Sequence, residues 1–172
     1  ALPWREDPAD LLLIHPDAYD ADAEHFPIRV NARIGTGSVR RQLQLLERRP
    51  DLTIGDLRGN VNTRISKLQE GRFDAIVLAA AGVARLGLEL EDLWVHRLDP
   101  SKFIPAPAQG IVAVQMRESD PEVRHYLETI HEPEIAVAAS VERHFLSLVD
   151  GGCNLPLGAW AEPLDTGEMC LH

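Results

Sequence analysis

The stretch Ile28-Arg29-Val30-Asn31-Ala32-Arg33-Ile34-Gly35-Thr36-Gly37-Ser38-Val39-Arg40-Arg41-Gln42 decides the fold class. Ile28 to Ile34 reads as a strand, and Ser38 as the cap of a helix in which Val39, Leu43 and Leu46 recur at i, i+4 and i+7 before Pro50. The succession then repeats. Leu52 to Asp56 is a second strand, Val61, Ile65 and Leu68 mark a second helix, and Gly71 is its left-handed stop. Ala75-Ile76-Val77-Leu78 is short and wholly apolar, as a central parallel strand covered on both faces would be. Such alternation builds βαβ units around a mainly parallel sheet, so the expected class is α/β.

Downstream, Ala79 to Leu86 predicts a small-residue helix ending near Gly87, and Trp94 to Leu98 a strand. Pro100 to Pro107 is a proline-rich crossing with the character of a hinge. Ile111 to Met116 is apolar enough to enter a second sheet. Asp120 and Pro121 start a helix with Val123, Leu127 and Ile130 on one face, and Pro133 opens another with Val141, Phe145 and Leu148 on one face. Leu157 to Ala161 and Glu168 to Leu171 read as strands of a hairpin turning at Asp165-Thr166-Gly167.

With 172 residues, 45% of them hydrophobic, the chain is long enough for one ample domain or parts of two. No apolar run approaches the roughly 20 residues of a membrane span, so no membrane partner is expected. A net charge of −10 argues against nucleic acid, whose phosphates demand clustered cations. Ala1-Leu2-Pro3-Trp4-Arg5-Glu6-Asp7 has neither an initiating Met nor the apolar core of a signal peptide, and is expected to be a cut start. Cys153 and Cys170 are too few for a disulfide framework and fit no zinc or Cys-x-x-Cys spacing, which points to a reducing cytoplasm. The seven histidines show no paired ligand spacing, and no metal site is expected.

Against that acidic background, arginine clusters stand out. Arg40 and Arg41 lie in a first helical turn, where cations oppose the helix dipole, so either an anion meets them or they stand on a solvated helix face. Arg58 and Arg64 flank Gly59-Asn60 at another strand-to-helix junction, and such junctions collect ligands along the carboxyl edge of a parallel sheet. Four guanidiniums near one crevice suit carboxylates, which they bind through paired N–H bonds. The Gly35 to Ser38 spacing matches neither a P-loop nor a dinucleotide fingerprint, excluding nucleotide binding. Thr36, Ser38, Asn60 and Gln109 could add neutral hydrogen bonds, although position alone favours capping and turn roles. Lys67 and Arg72 read as surface charges, and Asp56 as an ion-pair partner of Arg58.

Gly151-Gly152-Cys153-Asn154-Leu155-Pro156-Leu157-Gly158-Ala159 places a thiol in an open, glycine-flanked loop, where it could be a covalent attachment point or a small buried hydrophobe. Together with the motifs around Arg40, Arg41, Arg58 and Arg64, this loop resembles hydroxymethylbilane synthase, also called porphobilinogen deaminase, from about Arg5 to Glu162. The resemblance implies a cytoplasmic, monomeric transferase of heme and porphyrin biosynthesis. Such an enzyme joins four porphobilinogen molecules with loss of ammonia, and the growing polypyrrole is carried on a dipyrromethane cofactor thioether-linked to Cys153. It implies that Ser38, Arg40, Arg41, Arg58, Asn60 and Arg64 bind the cofactor, and that Thr36, Gln109 and Gly110 serve substrate and hinge.

The same resemblance implies a type II periplasmic-binding-protein-like architecture. Residues 1–10 would be a hinge segment, 11–104 the second domain, 105–130 a return to the first domain, and 131–172 the start of a small α+β third domain. The acid aspartate of the reaction is expected in a first-domain part absent from this chain, leaving no catalytic residue here and a chain inactive alone. Three positions depart from the family pattern: Gly37 for serine, Ala9 for arginine, and Ala108 for glycine. Glu142 matches a family glutamate but, midway along a helix, reads as a structural ion-pair partner. The competing expectation is a non-catalytic module that binds small dicarboxylates and leaves the cysteine idle.

Overall fold

The computed structural model describes residues 1–149 and 156–172. Its centre is a five-stranded sheet built from β1 (Asp10–Ile14), β2 (Arg33–Gly35), β3 (Thr53–Gly55), β4 (Ala75–Ala79) and β5 (Trp94–Arg97), in the order β3-β2-β4-β1-β5. β2 runs parallel to β3 and β4, whereas β1 is antiparallel to both of its neighbours, β4 and β5. The α/β class and the mainly parallel sheet are therefore as expected, with one reversed strand inserted beside the centre.

The central strands β1 and β4 are buried on both faces. Leu12, Ile14 and Val77 point into one core with Ile34 and Leu45, and the alternate residues Leu11, Leu13, Ile76 and Leu78 point into the other with Ile65 and Leu68. Helix α1 (Val39–Arg48) closes the first core, and α2 (Val61–Gln69) with α3 (Ala80–Arg85) closes the second. Every residue of β1 is buried, Asp10 included.

Beyond the sheet, the crossing from Pro100 to Pro107 is laid along α1. Gln44 grips it in both directions, accepting from Ile104 N at 2.7 Å through Oε1 and donating from Nε2 to Ile104 O at 3.0 Å. Residues 5–10 and 105–111 then run side by side. Glu6 N donates to Gly110 O at 3.0 Å, and Arg5 bridges Ile111. Helices α4 (Pro121–Glu128) and α5 (Pro133–Leu148) follow, and α5 packs on the hairpin of β6 (Ala161–Pro163) and β7 (Met169–Leu171), whose turn carries Gly167 at φ +81°.

Several expectations fail in instructive ways. The first strand is Arg33–Gly35 alone, because Asn31 takes a left-handed φ of +57° and Val30 is exposed. On α1 the buried side chains are Leu45 and Arg40, whereas Val39 and Leu43 lie half exposed. Apolar spacing located that helix but not its inner face, since the arginine takes the core-facing place. Ile111 to Met116 forms no strand, and α4 buries none of its residues, leaving Val123 and Ile130 exposed. On α5 the inner face is Ala138, Ala139 and Glu142, with Leu148 exposed. Leu11 to Ile14, a plain apolar run before His15-Pro16, is a strand that the periodicity argument passed over.

Candidate functional site

Two helix starts meet at the carboxyl edge of the sheet. At the first, Ser38 caps α1 by accepting from Arg41 N, and Thr36 Oγ1 accepts from Ser38 N at 3.1 Å, so Thr36 is buried beneath the turn. At the second, Asn60 Oδ1 accepts from Thr63 N and from Thr63 Oγ1, both at 2.9 Å, capping α2. Gly59 precedes it at φ +121°. Arg64 Nε donates to Gly59 O at 2.7 Å and Lys67 Nζ to Arg58 O at 2.8 Å, so the two cations hold the loop backbone. Lys67 is more than a free surface charge.

Between these starts lies a crevice of about 370 Å³ lined by Gly37, Ser38, Arg41, Asp56, Leu57, Arg58, Gly59 and Arg64. Three of the four expected arginines are therefore brought together. Arg58 is 86% exposed and its Nε donates to Asp56 Oδ2 at 2.8 Å, a pairing that raises the guanidinium pKa and matches the reading of Asp56 as an ion-pair partner. A Cβ on Gly37 would stand 3.2 Å from Leu57 O, so the glycine keeps this wall close.

Arg40 is elsewhere. Its side chain is 6% exposed and spent on the protein: Nη1 donates to Ile104 O at 2.6 Å, and Nη2 to Asp10 Oδ2 at 2.9 Å and more weakly to Gln109 Oε1. Burial lowers its pKa, with Asp10 opposing. Arg41 shares that aspartate, donating from Nη2 to Asp10 Oδ1 at 2.7 Å and from Nη1 to Val77 O at 3.1 Å, while its buried Nε has no acceptor. The anion expected against the first helical turn exists, but it is the chain's own carboxylate.

Gln109 and Gly110 sit where residues 5–10 and 105–111 run side by side, not in the crevice. Gln109 Nε2 donates to Pro8 O at 2.7 Å and Asp10 Oδ1 at 2.8 Å, tying the two connecting segments together. Gly110 has φ +87°, and a Cβ there would fall 2.4 Å from Glu6 O. Cys153 lies outside the described residues. Sequence reading missed Asp10, although a lone acid leading a fully apolar run was a usable signal. A larger groove of about 820 Å³ runs between Arg5 to Pro8, α5 and the β6–β7 hairpin. It carries Glu6, Asp7, Glu134, Glu162 and Asp165, the wrong sign for an anion, so chemistry favours the smaller crevice.

The described residues form an α/β domain with three guanidiniums gathered at the carboxyl edge of its sheet. Residues 1–125 match the family model described as porphobilinogen deaminase, dipyromethane cofactor binding domain. The chain is 48% identical over 170 residues to a porphobilinogen deaminase of Roseiflexus castenholzii, covering 99% of this chain and 54% of that protein. It is 42% identical over 175 residues to one of Syntrophobacter fumaroxidans, covering 99% and 53%. The chain belongs to the porphobilinogen deaminase family, as its arginine and cysteine motifs suggested, and spans about half the length of the curated relatives it matches.

Among solved structures, an arginine-specific periplasmic binding protein of Salmonella typhimurium aligns with a TM-score of 0.47 and 15% identity, over 81% of this chain and 62% of that one. An ancestral cationic amino acid solute-binding protein aligns at 0.37 and 17%, over 70% and 49%. The fold described above rests on its own strand order.

Proposed function

We propose that the whole protein is a hydroxymethylbilane synthase, a transferase of porphyrin and heme biosynthesis that joins four porphobilinogen molecules with release of one ammonia each and frees the linear product by hydrolysis. The observation that carries this reading is the convergence of Arg41, Arg58 and Arg64 on one crevice, in a chain whose residues 1–125 match the cofactor-binding domain of that family. Guanidiniums suit the acetate and propionate groups of a pyrrole chain because each can offer two parallel N–H donors.

The residues present fit a dipyrromethane cofactor. The crevice has three cations against one paired carboxylate, and Arg41 keeps a donor without an acceptor. Ser38, Arg41, Arg58 and Arg64 would hold its carboxylates, with Arg40 supporting from behind and Asn60 contributing whatever its capping role leaves free. When bound, the cofactor supplies the free pyrrole position to which the first substrate is joined. Cys153 would carry it through a thioether, and Thr36, Gln109 and Gly110 would shape the hinge.

Proton delivery to a leaving amine needs a free acid. Asp56, the carboxylate of this crevice, is engaged by Arg58, which supports an acid supplied from outside the chain and little or no activity of the chain alone. The domain reading follows: hinge 1–10, anion-binding domain 11–104, return segment 105–130, and 131–172 opening the cofactor-carrying domain. No described helix is long and apolar enough to cross a membrane. A cytoplasmic monomer is the assembly and place that suit this chemistry.

Intact-mass analysis of the full-length protein tests the reading. A dipyrromethane adduct lost in Cys153→Ser, together with ammonia release from porphobilinogen, supports it. An unmodified thiol with reversible binding of a small dicarboxylate replaces it with a non-catalytic binding module.

A further inference from the structure

We propose that Asp10 is the positioning residue of the arginine crevice: its buried carboxylate sets the direction of the Arg41 guanidinium and locks it to the hinge. This rests on the proposed function, since it concerns the same site. Asp10 opens β1, and its carboxylate has no exposed surface. Three donors from two other parts of the chain converge on it. Arg41 Nη2 at 2.7 Å and Gln109 Nε2 at 2.8 Å reach Oδ1, and Arg40 Nη2 at 2.9 Å reaches Oδ2.

The consequence for Arg41 is geometric. A free arginine stem spreads over many rotamers, and ordering it costs entropy each time a ligand binds. Here Nη2 is held by Asp10 and Nη1 by Val77 O, so the fork is fixed before any ligand arrives. The same carboxylate separates Arg40 from Arg41, adjacent cations in the first turn of α1 that would otherwise repel each other and oppose the helix dipole. Gln109 adds the hinge: its amide spans Asp10 and the carbonyl of Pro8, so movement of segment 105–110 is felt at Oδ1.

A residue that orients a binding group equally for ground and transition states acts on KM more than on kcat. The test uses the full-length protein with Asp10→Asn and with Asp10→Glu, which retains the charge but displaces it by one methylene. Porphobilinogen turnover, melting temperature and primer occupancy by intact mass are read for each. We expect folded variants whose primer occupancy falls and whose KM rises about tenfold, the loss of one charge-assisted contact, with kcat per primed molecule within about twofold. Asp10→Glu should recover part of the KM effect. Unchanged or lower KM overturns the proposal, as does failure of both variants to fold, because either makes Asp10 purely structural. Wild-type protein without turnover or adduct would instead overturn the proposed function, which separates the two failures.

Discussion

The guanidinium of Arg5 lies flat against the carboxylate of Glu142, Nη1 to Oε1 at 2.7 Å and Nη2 to Oε2 at 3.3 Å, with 8% and 0% of the two side chains exposed. The pair joins the N-terminal segment to the middle of α5. Glu142 also accepts from Ala108 N at 2.5 Å and Ala161 N at 2.8 Å, so one carboxylate fastens the connecting segment, the long helix and the hairpin. Glu142 is thus the structural ion-pair partner that its place on the helix suggested.

Glu142→Gln leaves Arg5 buried without a counter-charge, and breaking one side of a buried pair costs about 3–5 kcal/mol. The expected outcome is loss of the α5–hairpin unit at lower denaturant concentration than the sheet. Hydrogen exchange at Ala161 N, compared with the β4 amides, measures it. Equal protection of both would refute the fastening role.

At Gly110, a Cβ would meet Glu6 O at 2.4 Å while the backbone stays at φ +87°. Gly110→Ala should destabilise by about 1–3 kcal/mol from the backbone alone, and by more as the paired segments separate. A thermal melt of the variant checks this. Ala108, already at φ +61°, shows that this turn bears one such residue.

Arg40 and Arg58 should part company under alanine substitution. Arg58→Ala removes an exposed side chain, so melting temperature should hold while affinity for a pyrrole carboxylate ligand falls. Arg40→Ala takes the donor from the buried Asp10 Oδ2 and one of the two donors from Ile104 O, and should lower the melting temperature by several degrees. Calorimetry for stability and titration calorimetry for binding separate the two.

Acid should weaken the site through Asp10. Burial raises its pKa, but Arg41 and then Arg40, by charge and hydrogen bonding, together outweigh burial and leave it below the usual 3.8. A depressed folded pKa contributes stability that is present above pH 3.8 and is lost as pH falls through the folded value. Stability of the wild type should therefore fall more steeply below about pH 4 than that of Asp10→Asn. Parallel curves would show that the fold does not hold the Asp10 pKa below its ordinary value.

Much of this architecture was legible in the chain. Ser38, Asn60 and Asp120 each cap the helix that their position announced, and Gly71 and Gly167 take the left-handed angles that end a helix and turn a hairpin. These are local effects, decided within a few residues. The run from Ile111 to Met116 enters no sheet, and Val112, Val114, Val123 and Ile130 lie exposed, since apolarity records what a segment can bury, not what lies beside it.

The α/β class, the helix starts and the gathering of Arg41, Arg58 and Arg64 were settled by sequence, because capping, periodicity and strand-to-helix junctions act over short range. Only the tertiary structure separated Arg40 from its neighbour Arg41. Both reach the buried Asp10, but Arg40 is also drawn to Ile104 O and Gln109 while Arg41 lines the crevice; that division depends on the insertion of β1 and on a crossing 64 residues further on, and no local pattern encodes it.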